Sequence, residues 1–191
     1  MTFTKKINHF PEYTPICRPC LPDEEEEEES EPDIECTLAI IKPEAIVCRN
    51  EIENRIIDEG FEIYQTRWVQ LTPEQTSDFY TDCYEKLNFA HLVSYMSSAP
   101  IIAMVLAKHQ GIEDWRKVMG PTKVDKRSNP FPFLLLYFYP QVTEARLYYP
   151  DSIRAIFGRR GEDFKNAVHG SSSREQAERE IHFFFPECEF R

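Results

Sequence analysis

Apolar positions along the chain fall either into short continuous runs or into groups three and four residues apart. Cys36-Thr37-Leu38-Ala39-Ile40-Ile41 is continuous, β-branched and closed by Lys42-Pro43, which predicts a buried strand delivering Lys42 at its end. From about Glu51 to Glu59, Ile52, Ile56 and Ile57 suggest one helical face, with Gly60 as the C-terminal stop. Between Phe61 and Leu71, the residues Phe61, Ile63, Val69 and Leu71 share one parity and predict a second strand. Thr72-Pro73-Glu74-Gln75 has the cap, the first-turn proline and the returning glutamine of a helix start, and that helix is expected to reach about Lys86 with Phe79 and Tyr80 near its middle. A further helix is expected around Phe89 to Ser97, then a central strand from Ala99 to Leu106. Gly111 to Met119 reads as a short helix stopped by Gly120-Pro121. Asp151 to Phe157 reads as a helix, Gly158 to Asp163 as a charged loop, and Ala167-Val168-His169 as a strand end. Ser173-Arg174-Glu175-Gln176 opens a last helix with Ala177, Ile181 and Phe184 inward. This alternation predicts an α+β fold, a ferredoxin-like βαββαβ sandwich whose antiparallel sheet is covered by helices.

Charge changes the picture at the N-terminus only. Residues 1–35 hold 11 acidic and 3 basic side chains, whereas the remaining 156 residues hold 22 and 19. The net charge of -11 therefore belongs mostly to the run from Asp23 to Asp33, and residues 1–35 are expected to form a disordered or extended acidic arm. Such an arm is either a solvated spacer or a segment that docks on a basic partner. No apolar run preceded by positive charge opens the chain, so a cytoplasmic, reducing setting with free thiols is expected for its six cysteines. Cys17 and Cys20 form a C-x-x-C, but the acidic run follows three residues later where a thioredoxin-like helix would be needed, and only His9 lies nearby as a further metal ligand. No basic stripe with interleaved aromatics appears, so nucleic acid is not an expected partner. Phe131 to Tyr139 is apolar but too short to span a membrane and too flanked by proline for a helix.

The chemistry concentrates at Asn166-Ala167-Val168-His169-Gly170-Ser171-Ser172-Ser173, where a titratable nucleophile precedes a helix N-terminus rich in hydrogen-bond donors. Alone, that stretch also fits a surface histidine beside a capping serine cluster. Lys42-Pro43, Tyr80, Tyr95-Met96-Ser97-Ser98-Ala99-Pro100, Arg116, Met119-Gly120-Pro121-Thr122 and Pro150-Asp151-Ser152-Ile153-Arg154 accompany it in order. Together these motifs resemble the nucleoside diphosphate kinase family over residues 36–191. The resemblance implies a phosphohistidine at His169 that takes phosphate from a nucleoside triphosphate and gives it to a diphosphate. It implies further that Glu180 orients the ring and that Tyr80 lies close to it. Arg116, Thr122 and Arg154 would contact phosphate oxygens, and Lys42 and Asn166 would lie near the ribose and the reacting phosphate. Magnesium would accompany the nucleotide, bridging its phosphates rather than sitting in a protein cage. No protein-held metal is expected.

The chain also departs from the family pattern. Ser172 stands where an aspartate is usual, Asn88 with Phe89 beside it occupies the position of a base-stacking phenylalanine, and Glu44-Ala45 replaces Asp-Gly. An insertion at about 125–149 lengthens the loop that closes one side of the family's nucleotide cleft. It reads either as an alternative gene product or gene-model error, or as a partner-binding patch. These departures, the acidic spacer and the ending Phe183-Phe184-Phe185-Pro186-Glu187 resemble the ciliary and flagellar subgroup of the family. That likeness implies a second possibility: a catalytically weak or inactive docking component of an axonemal, microtubule-associated assembly.

Overall fold

The computed structural model describes residues 33–85, 88–120, 145, 146, 148–159 and 164–188. The expectations for the acidic arm, Cys17 and Cys20, the Phe131–Tyr139 run and Thr122 lie outside these residues, as does most of the insertion at about 125–149.

Among the described residues, four strands form one antiparallel sheet in the order β2-β3-β1-β4: β1 is Ile34–Ile41, β2 is Glu62–Val69, β3 is Ile101–His109 and β4 is Val168–Gly170. Among the described residues, the helices that join them are α1 Arg49–Asp58, α2 Pro73–Phe79, α3 Phe89–Met96, α4 Gly111–Met119, α5 Ile153–Phe157 and α6 Arg174–Phe184. This is the expected ferredoxin-like α+β arrangement. β1 starts at Ile34, two residues ahead of the strand read from the sequence.

Helices cover both faces of the sheet, and so the two central strands read as unbroken apolar runs rather than as alternation. Leu38, Ile40, Ala103 and Val105 pack with Phe79, Ala177, Ile181 and Phe184 of α2 and α6. Ala39, Ile41, Ile102, Met104 and Leu106 pack with Ile52, Ile56, Trp115 and Met119 of α1 and α4. α1 ends in a Schellman motif: the Phe61 N–H donates to the Ile56 carbonyl, the Gly60 N–H to that of Ile57, and Gly60 has φ 79°. Among the described residues, no helix is long and apolar enough to cross a membrane.

Three local expectations need correction. Ile57 is exposed, because it stands about 140° around α1 from Ile52 while Ile52 and Ile56 are buried. In β2, a bulge between Ile63 and Gln65 shifts the register against β3 by one residue. Phe61 and Ile63 therefore pack with Trp115 on one face, and Val69 and Leu71 with Phe79 on the other, despite their common parity. Lastly, α2 stops at Phe79, and Tyr80 is its C-cap rather than a mid-helix residue. The Thr81 hydroxyl donates to the carbonyls of Asp78 at 2.6 Å and Ser77 at 3.3 Å, and the chain continues as a 3-10 turn over Thr81–Cys83.

Candidate active site

β4 is an edge strand that pairs His169 with Ile40, so the imidazole emerges on the face occupied by α2 and α6. Gly170 follows because nothing larger fits. A Cβ there would lie 2.4 Å from Trp115 Nε1 and 2.6 Å from Met119 Cε, and Trp115 is fully buried. Gly170→Ala is expected to cost about 1–3 kcal/mol by overpacking and to displace the neighbouring His169. Urea denaturation monitored beside nucleotide turnover would measure both losses.

The backbone before His169 is bent in an unusual way. Ala167 has φ 68°, and the Val168 N–H donates to the Asn166 carbonyl at 2.8 Å, closing a three-residue turn of a rare, strained kind. Two contacts from the end of β1 hold it: Lys42 N–H donates to the Ala167 carbonyl, and Ala167 N–H donates to Glu44 Oε1, both at 2.9 Å. Glu44 thus serves as a backbone clamp.

The ring itself is fixed on three sides. Phe79 and Tyr80 meet it edge-on, with centroids 5.4 and 5.7 Å away. Nε2 faces the buried Glu180 carboxylate at 3.1 Å from Oε1 and 3.0 Å from Oε2. A carboxylate only accepts, so the proton of the neutral ring resides on Nε2 and the lone pair on Nδ1. Burial pushes the Glu180 carboxyl up, but donation from His169, Ser171 and Gln176 outweighs it, and the group stays below its ordinary range. Because that value is depressed, Glu180 stabilises the fold above the ordinary carboxylate range, and this contribution disappears as pH falls through its folded value.

A cleft of about 320 Å³ opens beside the ring, lined by His169, Tyr80, Cys83, Arg116, Arg154 and Glu180, among others. Arg116 is exposed on α4, and no ion pair engages it among the described residues. Arg154 is 6% exposed and donates to the carbonyls of Gly120 at 2.6 Å and Val168 at 3.2 Å. Burial, then repulsion from Arg116, lowers its guanidinium to about 10. Two cations whose charges work against each other suit an anion that offsets both. The buried Tyr80 hydroxyl lines the same cleft with no hydrogen-bond partner among the described residues, and burial, then the Glu180 charge, pushes its pKa above the usual phenol range.

Lys42 and Asn166 meet at the end of β1 but do not line this cleft. Lys42 Nζ donates to Asn166 Oδ1 at 2.7 Å and to the Phe164 carbonyl at 2.8 Å, and it is 5% exposed. Burial and the nearby Arg154 charge lower its amine to about 7. A lysine with a depressed folded value holds fewer protons than the unfolded chain between pH 7 and its ordinary value near 10.5. Stability should then rise with pH above 7, by up to about 1.4 kcal/mol per pH unit. Urea midpoints at pH 7 and 9 should separate for the wild type and converge for Lys42→Met.

Asn88 and Phe89 are not gathered into the cleft. Asn88 is exposed at the start of α3, and the Phe89 ring instead pairs with Tyr84 at 5.3 Å. Three participants escaped the sequence reading: Ser171, which donates to Glu180 Oε2 at 2.7 Å, Gln176, and the Glu44 clamp. The four-residue spacing of Gln176 and Glu180 on one helix was the available signal.

The family model described as nucleoside diphosphate kinase matches residues 35–190. Nucleoside diphosphate kinase homolog 5 of Danio rerio is 46% identical over 153 residues, covering 80% of this chain and 61% of the relative, so this chain spans about three-fifths of that relative's length. A nucleoside diphosphate kinase of Histophilus somni is 39% identical over 160 residues, covering 82% of this chain and 96% of its own. The crystal structure of the Aquifex aeolicus nucleoside diphosphate kinase superposes with a TM-score of 0.67 at 37% identity, covering 80% of this chain and 96% of that one. With the fold, the matched span and these relatives in agreement, the chain belongs to the nucleoside diphosphate kinase family.

Proposed function

We propose that this protein transfers the terminal phosphate of a nucleoside triphosphate to a nucleoside diphosphate through a phosphohistidine at His169. The observation that carries the reading is the ring held by Glu180 at Nε2, with Nδ1 left as the nucleophilic nitrogen beside a cleft bearing Arg116 and Arg154. The Nδ1 lone pair would attack the γ-phosphorus in line while its bond to the bridging oxygen breaks and the diphosphate departs. A β-phosphate oxygen of the second nucleotide would then attack the same phosphorus and break the P–N bond. Arg116 and Arg154 would offset charge on the transferring group, and Tyr80 would donate to it. Thr122 belongs to this reading by resemblance alone. Magnesium would arrive as part of the nucleotide substrate. With Phe89 turned to Tyr84 and Asn88 at the stacking position, discrimination between bases should be weak.

Initial rates of phosphate transfer from ATP to several diphosphates test the reading. Double-reciprocal plots should be parallel, as a two-step exchange at one site demands. Intersecting plots, or no transfer, would contradict it.

A second reading, a docking component of a cytoplasmic or axonemal assembly in a cilium or flagellum, is favoured by one observation. The edge strand β2 exposes Tyr64 and Trp68, the former at 61%. Unpaired edges carrying apolar side chains are suited to contacts. Loss of partner binding on Trp68→Lys, with phosphate transfer retained, would show both readings hold together.

A further inference from the structure

We infer that Gln176 is a positioning residue that locks Glu180, and through it His169, with its own orientation set by Ser172. The inference rests on the phosphotransfer reading for its consequence, but the geometry stands by itself. Gln176 Nε2 donates to Glu180 Oε1 at 2.8 Å. Its Oε1 accepts from the Ser172 N–H at 2.9 Å and from the Ser172 hydroxyl. The assignment of the amide is not arbitrary. A backbone N–H can only donate, so the oxygen of Gln176 must face Ser172, and a carboxylate can only accept, so the nitrogen must face Glu180. Both requirements are met by one rotamer, one helical turn before Glu180.

The consequence follows from counting donors at the carboxylate. Oε2 receives Ser171 Oγ at 2.7 Å, and Oε1 receives Gln176, while the imidazole Nε2 sits astride both oxygens. Ser171 anchors one oxygen and Gln176 the other, so the carboxylate plane cannot swivel and the ring it holds cannot tilt. Without Gln176, Oε1 keeps only the histidine. The carboxylate charge is then less offset, the imidazolium is favoured, and the plane gains freedom to rotate. Other charged or titratable groups face the pair: Tyr80 and Cys83 after α2, Arg116 on α4 and Arg154 on α5, while Asp82 is bound to Arg179 at 2.6 Å. A change confined to Gln176 leaves all of these in place.

The test uses the full chain without nucleotide, following the His169 ring nitrogens by 15N NMR as pH is varied, in the wild type, Gln176→Leu and Gln176→Glu. Gln176→Leu should raise the midpoint of His169 by about half a unit to one unit, and the near-isosteric Gln176→Glu should raise it further. The acidic limb of the transfer rate should move up by the same amount, with turnover reduced roughly tenfold at optimal pH. Unchanged midpoints and tautomer in Gln176→Glu, whatever the stability of Gln176→Leu, would overturn the inference and leave Gln176 as a helix-end contact. Absence of transfer in the wild type would count against the kinase reading alone, because the His169 titration is read without turnover.

Discussion

His169→Ala is expected to reduce phosphate transfer by a factor on the order of 10⁶, the scale seen when a covalent nucleophile is removed, while leaving the fold intact. The reason for so large an effect is that neither the nearby phenol nor the nearby carboxylate can take over. Among the cleft-lining side chains, Tyr80 is buried with its acidity suppressed, and Glu180 carries its negative charge behind the ring rather than at the opening. Stability should fall modestly, because the variant loses the edge-on contacts with Phe79 and Tyr80 and one donor to the buried Glu180 carboxylate, which keeps Ser171 and Gln176. The decisive comparison is therefore steady-state transfer from ATP beside thermal melting. A residual rate within tenfold of the wild type would mean that phosphate passes directly between nucleotides without visiting the protein.

Arg116→Ala should produce the second largest loss, about 10²–10³ in turnover, as for removal of one preorganised donor to developing charge. Arg116 lies exposed on α4 at the rim of the cleft, whereas Arg154 already spends donors on the Gly120 and Val168 carbonyls. Hence Arg116 is the guanidinium whose removal leaves the scaffold untouched, and the variant should melt as the wild type does. Arg116→Lys should recover only part of the rate, since a point charge lacks the planar fork that matches two phosphate oxygens. Pre-steady-state measurement of the first transfer would locate the loss in the chemical step. A loss appearing only in KM would instead place Arg116 in ground-state binding.

The parts of the fold that could be read from sequence are those where one signal suffices. Gly111–Met119 was bounded on both sides by glycine, and β1 and β3 are continuous apolar runs that only a sheet covered on both faces explains. What escaped the reading depends on contacts between distant segments. No glycine or proline marks the bulge at Tyr64, yet it sends Phe61 and Leu71 to opposite faces. The end of α2 is decided by a threonine hydroxyl competing for helical carbonyls, which propensity does not resolve. Gln176 illustrates the same limit at the site. Its position three residues after Ser173 reads as a capping box, and Ser173 does accept the Gln176 N–H at 3.2 Å. The side chain, however, turns to Ser172 and Glu180, a choice that exists only once β4 brings His169 over the helix. His169, Tyr80, Arg116 and Arg154 stand in the separated motifs that carry the family resemblance, Glu180 is implied by that resemblance alone, and the fold built on the sheet order β2-β3-β1-β4 brings all five to one cleft.

The most direct test is to incubate the purified chain with terminally labelled ATP and magnesium, then identify the labelled amino acid by alkaline digestion. The expected label is acid-labile and base-stable and is recovered as histidine phosphorylated at Nδ1, because Nε2 is committed to Glu180. Label on Nε2, label on another residue, or an unlabelled but folded protein would contradict it.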